Sequence, residues 1–134
     1  MPANTAVDIM NVTNDPRRAL WFDLNGMTDY VGGSYGNFNT YSELSHLGSV
    51  FRDQNLEGVL LSYAELEFLL AEAVERGFAV GGTAEDRYNV GITAAITYWG
   101  GTAEMADAYL AEGTVAYSTA NGDWKAKIGT QKWL

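Results

Sequence analysis

The sequence predicts a mainly all-α fold of helix pairs with long glycine-rich loops, and three observations predict it. Several stretches beyond residue 59 pair a helix-start residue with apolar side chains at helical spacing. The strongest, residues 62–77, opens on Ser62 with Glu65 three residues on and meets no Gly or Pro until Gly77. Residues 25–58, by contrast, carry Gly26, Gly32, Gly33, Gly36, Gly48 and Gly58 and show no clear element. The expected organisation is a loop-rich segment, residues 1–58, followed by a helical scaffold, residues 59–134.

Length and composition bound what such a chain does. At 134 residues it fits one domain, large enough to bury about two-thirds of its unfolded surface. With 47% hydrophobic and 13% aromatic residues it is not of a disordered class. A net charge of −9 repels nucleic-acid backbones and anionic membrane surfaces, so neither is expected as a partner. The absence of cysteine excludes disulfides and thiolate metal sites. No run of 18 apolar residues is present, and the opening Met-Pro-Ala-Asn-Thr has neither the basic nor the apolar region of a secretory signal.

The elements follow in order. Residues 1–20 read as irregular, with a short strand or turn over 6–10. Asn14-Asp15-Pro16-Arg17 is a turn signal in which Asp15 serves as N-cap and Pro16 begins one helical turn reaching Leu20. Residues 19–24 are apolar and predict a short strand. Within residues 25–58, Tyr30, Tyr35, Phe38 and Tyr41 alternate with Asn37, Asn39, Thr40 and Ser42. A segment this long without a clear element is unusual in a compact domain. Its Tyr, Asn, Gly and Ser are the residues of adaptable recognition loops, and equally of a connection whose rings pin it to a helical core.

Residues 62–76 are the organising helix. Leu66, Leu69, Leu70, Ala73 and Val74 fall on one side and Ala64, Phe68 and Ala71 on another, so neighbours are expected on more than one side. After a glycine turn, Thr83 with Asp86 opens a second helix reaching Trp99, on which Tyr88, Ile92, Ala95 and Trp99 share a face. The short connection implies an antiparallel hairpin. Thr102 caps a third helix through Met105, Ala106, Tyr109 and Leu110, ended by Gly113. Residues 114–122 read as a polar loop, and Asp123 caps a final helix with Trp124, Ile128 and Trp133. Nothing stops that last pattern before Leu134, so the chain is expected to be part of something longer.

No constellation reads as an active site. Glu65 and Glu72 lie on one helix face, but seven residues separate their backbones by about 10.5 Å. Paired glycosidase carboxyls stand roughly 5–9.5 Å apart. Capping by Glu65 and an i,i+4 pair between Glu72 and Arg76 explain both residues without chemistry. His46 is the sole histidine and has no cysteine or second histidine to share a zinc ion. A serine triad through Ser45 and His46 lacks the nucleophile elbow. Asp23-Leu24-Asn25-Gly26 resembles a calcium loop whose glycine comes two positions early, and residues 32–36 lack the spacing and lysine of a phosphate loop. Neither a metal nor a cofactor is expected.

The run Leu61-Ser62-Tyr63-Ala64-Glu65-Leu66-Glu67-Phe68-Leu69-Leu70-Ala71-Glu72-Ala73 resembles the "YAE…LLAEA" helix of the SusD/RagB family, in particular its SusD-like subgroup. Further pieces occur in the family's order. They are Asn14-Asp15-Pro16-Arg17, Tyr30-Val31-Gly32-Gly33, Tyr88-Asn89-Val90-Gly91-Ile92 leading to Tyr98-Trp99-Gly100, and Ile128-Gly129-Thr130-Gln131-Lys132-Trp133. The resemblance covers most of the chain from about residue 14.

It implies a tetratricopeptide-like helical scaffold with ligand-binding loops, and a starch- or glycan-binding lipoprotein that is not an enzyme. Such proteins sit at the cell surface on the outer membrane and pass oligosaccharide or other nutrient to a SusC-like TonB-dependent transporter. Family members are several times longer and begin with a lipid-anchored cysteine. Residues 1–134 are therefore expected to be a single C-terminal fragment of a SusD-like domain, with membrane contact only through an anchor outside it. The resemblance gives no ligand residue by position. Sugar rings stack C–H faces on aromatic side chains, and amides take their hydroxyls. Tyr30, Tyr35, Asn37, Phe38, Asn39 and Tyr41 are on that ground the expected ligand residues. The alternative is a helical protein–protein interaction module with no small ligand of its own.

Overall fold

The computed structural model describes all 134 residues and contains six α-helices, two short 3-10 helices and one two-stranded sheet. The fold is mainly α, as expected, and the chain forms two compact units, Met1–Gly58 and Val59–Leu134.

In the first unit, helix α1 spans Asn4–Val12 and buries Val7 and Met10. The strand or turn expected over residues 6–10 is thus a helix. Val7 and Met10 are three apart and share one face, whereas the β-branched Val7, Ile9 and Val12 resemble strand residues when read singly. The helix closes with Asn14 in the left-handed region at φ 53, where the Asp15 amide donates back to the Met10 carbonyl at 2.9 Å. Asp15 is fully buried and its carboxylate accepts from the Arg17 amide at 2.9 Å and from the Arg17 guanidinium. Both charges lie away from water, and each is hydrogen-bonded to the other, which is what makes their burial tolerable.

Helix α2, Arg17–Trp21, then runs directly into strand β1, Phe22–Asp23, which pairs antiparallel with β2, His46–Leu47. The strand expected over 19–24 therefore shrinks to two residues, because Ala19 to Trp21 continue the helix begun by Pro16. Asn25 and Gly26, both at positive φ, turn the chain after β1. The Asn25 amide donates to the carbonyls of Ser42 at 3.2 Å and Leu44 at 3.1 Å. The base of the long loop is clamped at the other end by the N-terminus. Gly33 donates to Pro2 and accepts from Asn4, both at 2.9 Å, and a Cβ on Gly32 would lie 2.5 Å from the Asn4 backbone. Buried Ser45 closes the same base, accepting from the Val31 amide at 3.0 Å and donating its own amide to Val31 at 2.9 Å.

The second unit holds α3 (Tyr63–Glu75), α4 (Ala84–Tyr98), α5 (Ala103–Leu110) and α6 (Trp124–Trp133). Each begins as its sequence directs: the side chains of Ser62, Thr83, Thr102 and Asp123 accept from the amide three residues on. Gly77 stands at φ 85, and the Phe78 amide donates to the Ala73 carbonyl, the glycine close expected for α3.

The core of this unit gathers Phe68 and Ala71 of α3, Tyr88, Ile92 and Ile96 of α4, Ala106 and Tyr109 of α5, Val115, and Ile128 of α6. Helix α3 packs on both α4 and α6, as its apolar character predicts. The sides divide differently from the reading by composition. Phe68, Ala71 and the charged Glu67 are buried, while Leu66 and Leu69 stay 41% and 39% exposed. Glu67 is tolerated inside because Arg87 of α4 donates to both its oxygens, at 3.1 and 3.4 Å. Residues 114–122 are more than a polar loop. Val115 is fully buried, its carbonyl accepts from the Tyr88 hydroxyl at 2.8 Å, and Tyr117 packs its ring on Tyr88.

Candidate functional site

The candidate site is the tip of the long loop in the first unit. Between the clamped base at Gly33 and the sheet residue His46, the chain turns at residues 34–37, with Gly36 in the left-handed region at φ 75. Three aromatic rings there face water: Tyr35 at 89% exposure, Phe38 at 96% and Tyr41 at 61%. Exposing single apolar residues is ordinary, but three rings within seven residues concentrate a large uncovered aromatic surface.

The backbone beneath those rings is held. The Asn39 side-chain oxygen accepts from the Ser34 amide at 2.8 Å, and its NH2 donates to the carbonyls of Ser34 and Asn37, each at 2.9 Å. Tyr41 is held from one side: its ring stacks on His46 with centroids 3.9 Å apart and planes 16° from parallel, and the His46 Nε2 lies 3.1 Å from the Tyr41 carbonyl. One face of Tyr41 is thereby covered by His46 while the residue stays exposed.

The six expected ligand residues therefore separate into two groups. Tyr35, Asn37, Phe38 and Tyr41 are exposed on the tip. Tyr30 is half-buried away from them, with its ring near Phe22 at 6.3 Å, the Arg18 guanidinium over it at 5.8 Å, and its carbonyl accepting from Asn11 at 2.9 Å. Asn39 is half-buried and turned into the loop. Sequence reasoning did not single out His46 as the support of Tyr41. The two residues are five apart, joined by a single helical turn over Tyr41–Glu43 that ends before His46 opens β2, and no local signal links them.

Elsewhere several charged side chains have structural partners. Glu72 accepts from Arg76 at 2.8 Å, the i,i+4 pair expected of it. Asp23 accepts from the Asn25 amide at 2.8 Å within the turn. Glu75 accepts from the Tyr117 hydroxyl at 2.6 Å; burial first, and then that hydrogen bond, push the Tyr117 phenol well up. A hydrogen bond to Glu67 likewise raises Tyr63. No group of three or more His, Asp or Glu side chains converges as metal ligands would.

The chain resembles known proteins over nearly its whole length. A SusD-like family model, described as "Starch-binding associating with outer membrane", matches residues 1–134. No curated protein sequence matches. Among solved structures, one titled a chitin-binding protein superposes with a TM-score of 0.79 at 26% identity, over 98% of this chain and 33% of that one. A SusD homologue from Bacteroides vulgatus ATCC 8482 superposes with a TM-score of 0.71 at 24% identity, over 99% of this chain and 33% of that one. The chain thus spans about a third of the length of the solved structures it matches.

Proposed function

We propose that this chain, which belongs to the SusD-like family described as starch-binding and associating with the outer membrane, is part of a non-catalytic glycan-binding component of an outer-membrane uptake system. The component is displayed at the cell surface through a lipid anchor and hands oligosaccharide or another nutrient to a SusC-like TonB-dependent transporter. The observation that carries the reading is the loop tip. Tyr35, Phe38 and Tyr41 present uncovered rings on a backbone that is already hydrogen-bonded in place.

A pyranose has apolar C–H faces and a rim of hydroxyls, so a ring pressed on one face buries apolar area without desolvating the hydroxyls. Asn37, exposed beside Phe38, is placed to exchange hydrogen bonds with that rim. The structural likeness to a chitin-binding protein and the starch-binding family description both support a sugar polymer as ligand. Calorimetric titration of the chain with chitin- and starch-derived oligosaccharides tests this. Binding should appear with at least one of them and weaken on Tyr35→Ala and Tyr41→Ala. Unchanged affinity in both variants would show that the loop tip is not the site.

One observation favours a second reading, a helical interaction module without a small ligand. The segment before α3 and its outer face leave Leu60, Leu61, Tyr63, Leu66 and Leu69 exposed, more apolar surface than a free helix face needs. That reading expects no sugar to raise the melting temperature.

A further inference from the structure

The loop tip contains one expected ligand residue whose geometry gives it a different task. We infer that Asn39 is a positioning residue for the aromatic loop and not a ligand contact. This inference rests on the glycan-binding reading above and deepens it.

An Asn side chain has two N–H donors and an acceptor oxygen with two lone pairs. In Asn39 both donors are engaged, by Ser34 and Asn37 carbonyls at 2.9 Å, and the oxygen holds the Ser34 amide at 2.8 Å. A sugar hydroxyl seeking a donor from this amide would have to displace a bond that closes the turn. The side chain also lies on a glycine floor: a Cβ added to Gly33 would come within 3.3 Å of the Asn39 amide carbon and oxygen. Gly33 is itself clamped to the N-terminal residues Pro2 and Asn4, so the floor beneath Asn39 is fixed from outside the loop. Tyr35 and Phe38, whose rings face water, stand on the backbone between Ser34 and Asn39.

The consequence is preorganisation. Rings on an unrestrained loop would have to be ordered when a sugar binds, and that ordering would subtract from affinity. With Asn39 closing the turn, the ordering is complete before the ligand arrives. Asn39 therefore raises affinity without touching the ligand.

The test pairs two readouts on the full chain: hydrogen exchange of the Ser34 amide by NMR, and titration with chitohexaose and maltohexaose. Asn39→Ala should accelerate Ser34 exchange and weaken binding roughly tenfold, with all ring residues intact. Tyr35→Ala should weaken binding and leave Ser34 exchange as it is. Asn39→Asp, which keeps the acceptor for Ser34 but loses both donors, should fall between wild type and Asn39→Ala in both measurements. It also serves if the alanine variant fails to fold, and wild-type affinity in it would count against the inference.

Two results overturn the inference alone. One is faster Ser34 exchange with affinity unchanged, which would mean the order of the turn is irrelevant. The other is lost affinity with Ser34 still protected, which would make Asn39 a direct contact. Absence of binding to both oligosaccharides in the wild type is a separate failure. It would sink the glycan reading and the inference with it.

Discussion

Gly91 sits in the middle of α4, where glycine ordinarily weakens a helix, and the reason is the ring of Phe68. A Cβ at this position would lie 2.9 Å from the Phe68 Cε1 and 3.0 Å from its Cζ. Phe68 cannot slide aside freely, since its ring also packs edge-on against Tyr88 at 6.1 Å in the core. Gly91→Ala therefore sets a helix-propensity gain of about 1 kcal/mol against overpacking of roughly 1–3 kcal/mol. The expected net is a destabilisation of about 1 kcal/mol by urea unfolding. Gly129 of α6 is the control. It is exposed, and nothing lies within 4 Å of its Cβ position. Gly129→Ala should stabilise the chain by about 0.5–1 kcal/mol. If the two substitutions shift stability in the same direction, the Phe68 contact is not what requires glycine at 91.

At the scale of the element, α4 carries the one complete capping box. The Thr83 hydroxyl accepts from the Asp86 amide at 3.1 Å, and the Asp86 carboxylate accepts from the Thr83 hydroxyl at 2.7 Å and the Thr83 amide at 3.3 Å. Those bonds, the hydroxyl's first, hold the Asp86 carboxyl below its ordinary value of 3.8. A carboxyl whose folded value is depressed adds stability above the unfolded value and loses it as pH falls through the folded one. Thr83→Ala should cost about 1 kcal/mol at neutral pH. The gap between variant and wild type should shrink as the pH falls below 3.8. A gap that stays constant across that range in urea melts would show that Asp86 takes no part in the cap.

The starts of α3 to α6 were legible because a cap and a glycine stop act within four residues of themselves. The capping box expected at Ser62 is half made, with Ser62 accepting from Glu65 at 3.0 Å. Helix α1 was not legible, since two buried positions, Val7 and Met10, are too few to establish a helical period among the β-branched Val7, Ile9 and Val12. Nor was Val115, whose burial depends on the Tyr88 hydroxyl from 27 residues away. At the loop tip the exposed rings were readable from composition. The separate roles of Tyr30 and Asn39 were not, because they depend on contacts with Phe22, Arg18 and Ser34 that no spacing rule encodes.

For the molecule as a whole, the acidic balance and the uncharged loop tip bear on the same question. The chain carries a net −9. Tyr35, Asn37, Phe38 and Tyr41, which face the proposed ligand, carry no charge at neutral pH. Recognition by stacking and neutral hydrogen bonds depends little on screening, because no ion pair forms and no counterions are released. Recognition of a charged polymer would follow the salt concentration steeply, and a protein of this sign would repel an anionic one. Raising salt from about 0.05 to about 0.5 M shortens the Debye length roughly threefold, from near 14 to near 4 Å. Affinity for a neutral chitin- or starch-derived oligosaccharide should change by less than about twofold over that range, apart from a modest strengthening of apolar contacts. The measurement is the titration already named, repeated at both salt concentrations. A fall of tenfold or so would mean that charge carries the recognition. The ligand would then be cationic, drawn to the acidic surface and not stacked on the rings of the loop.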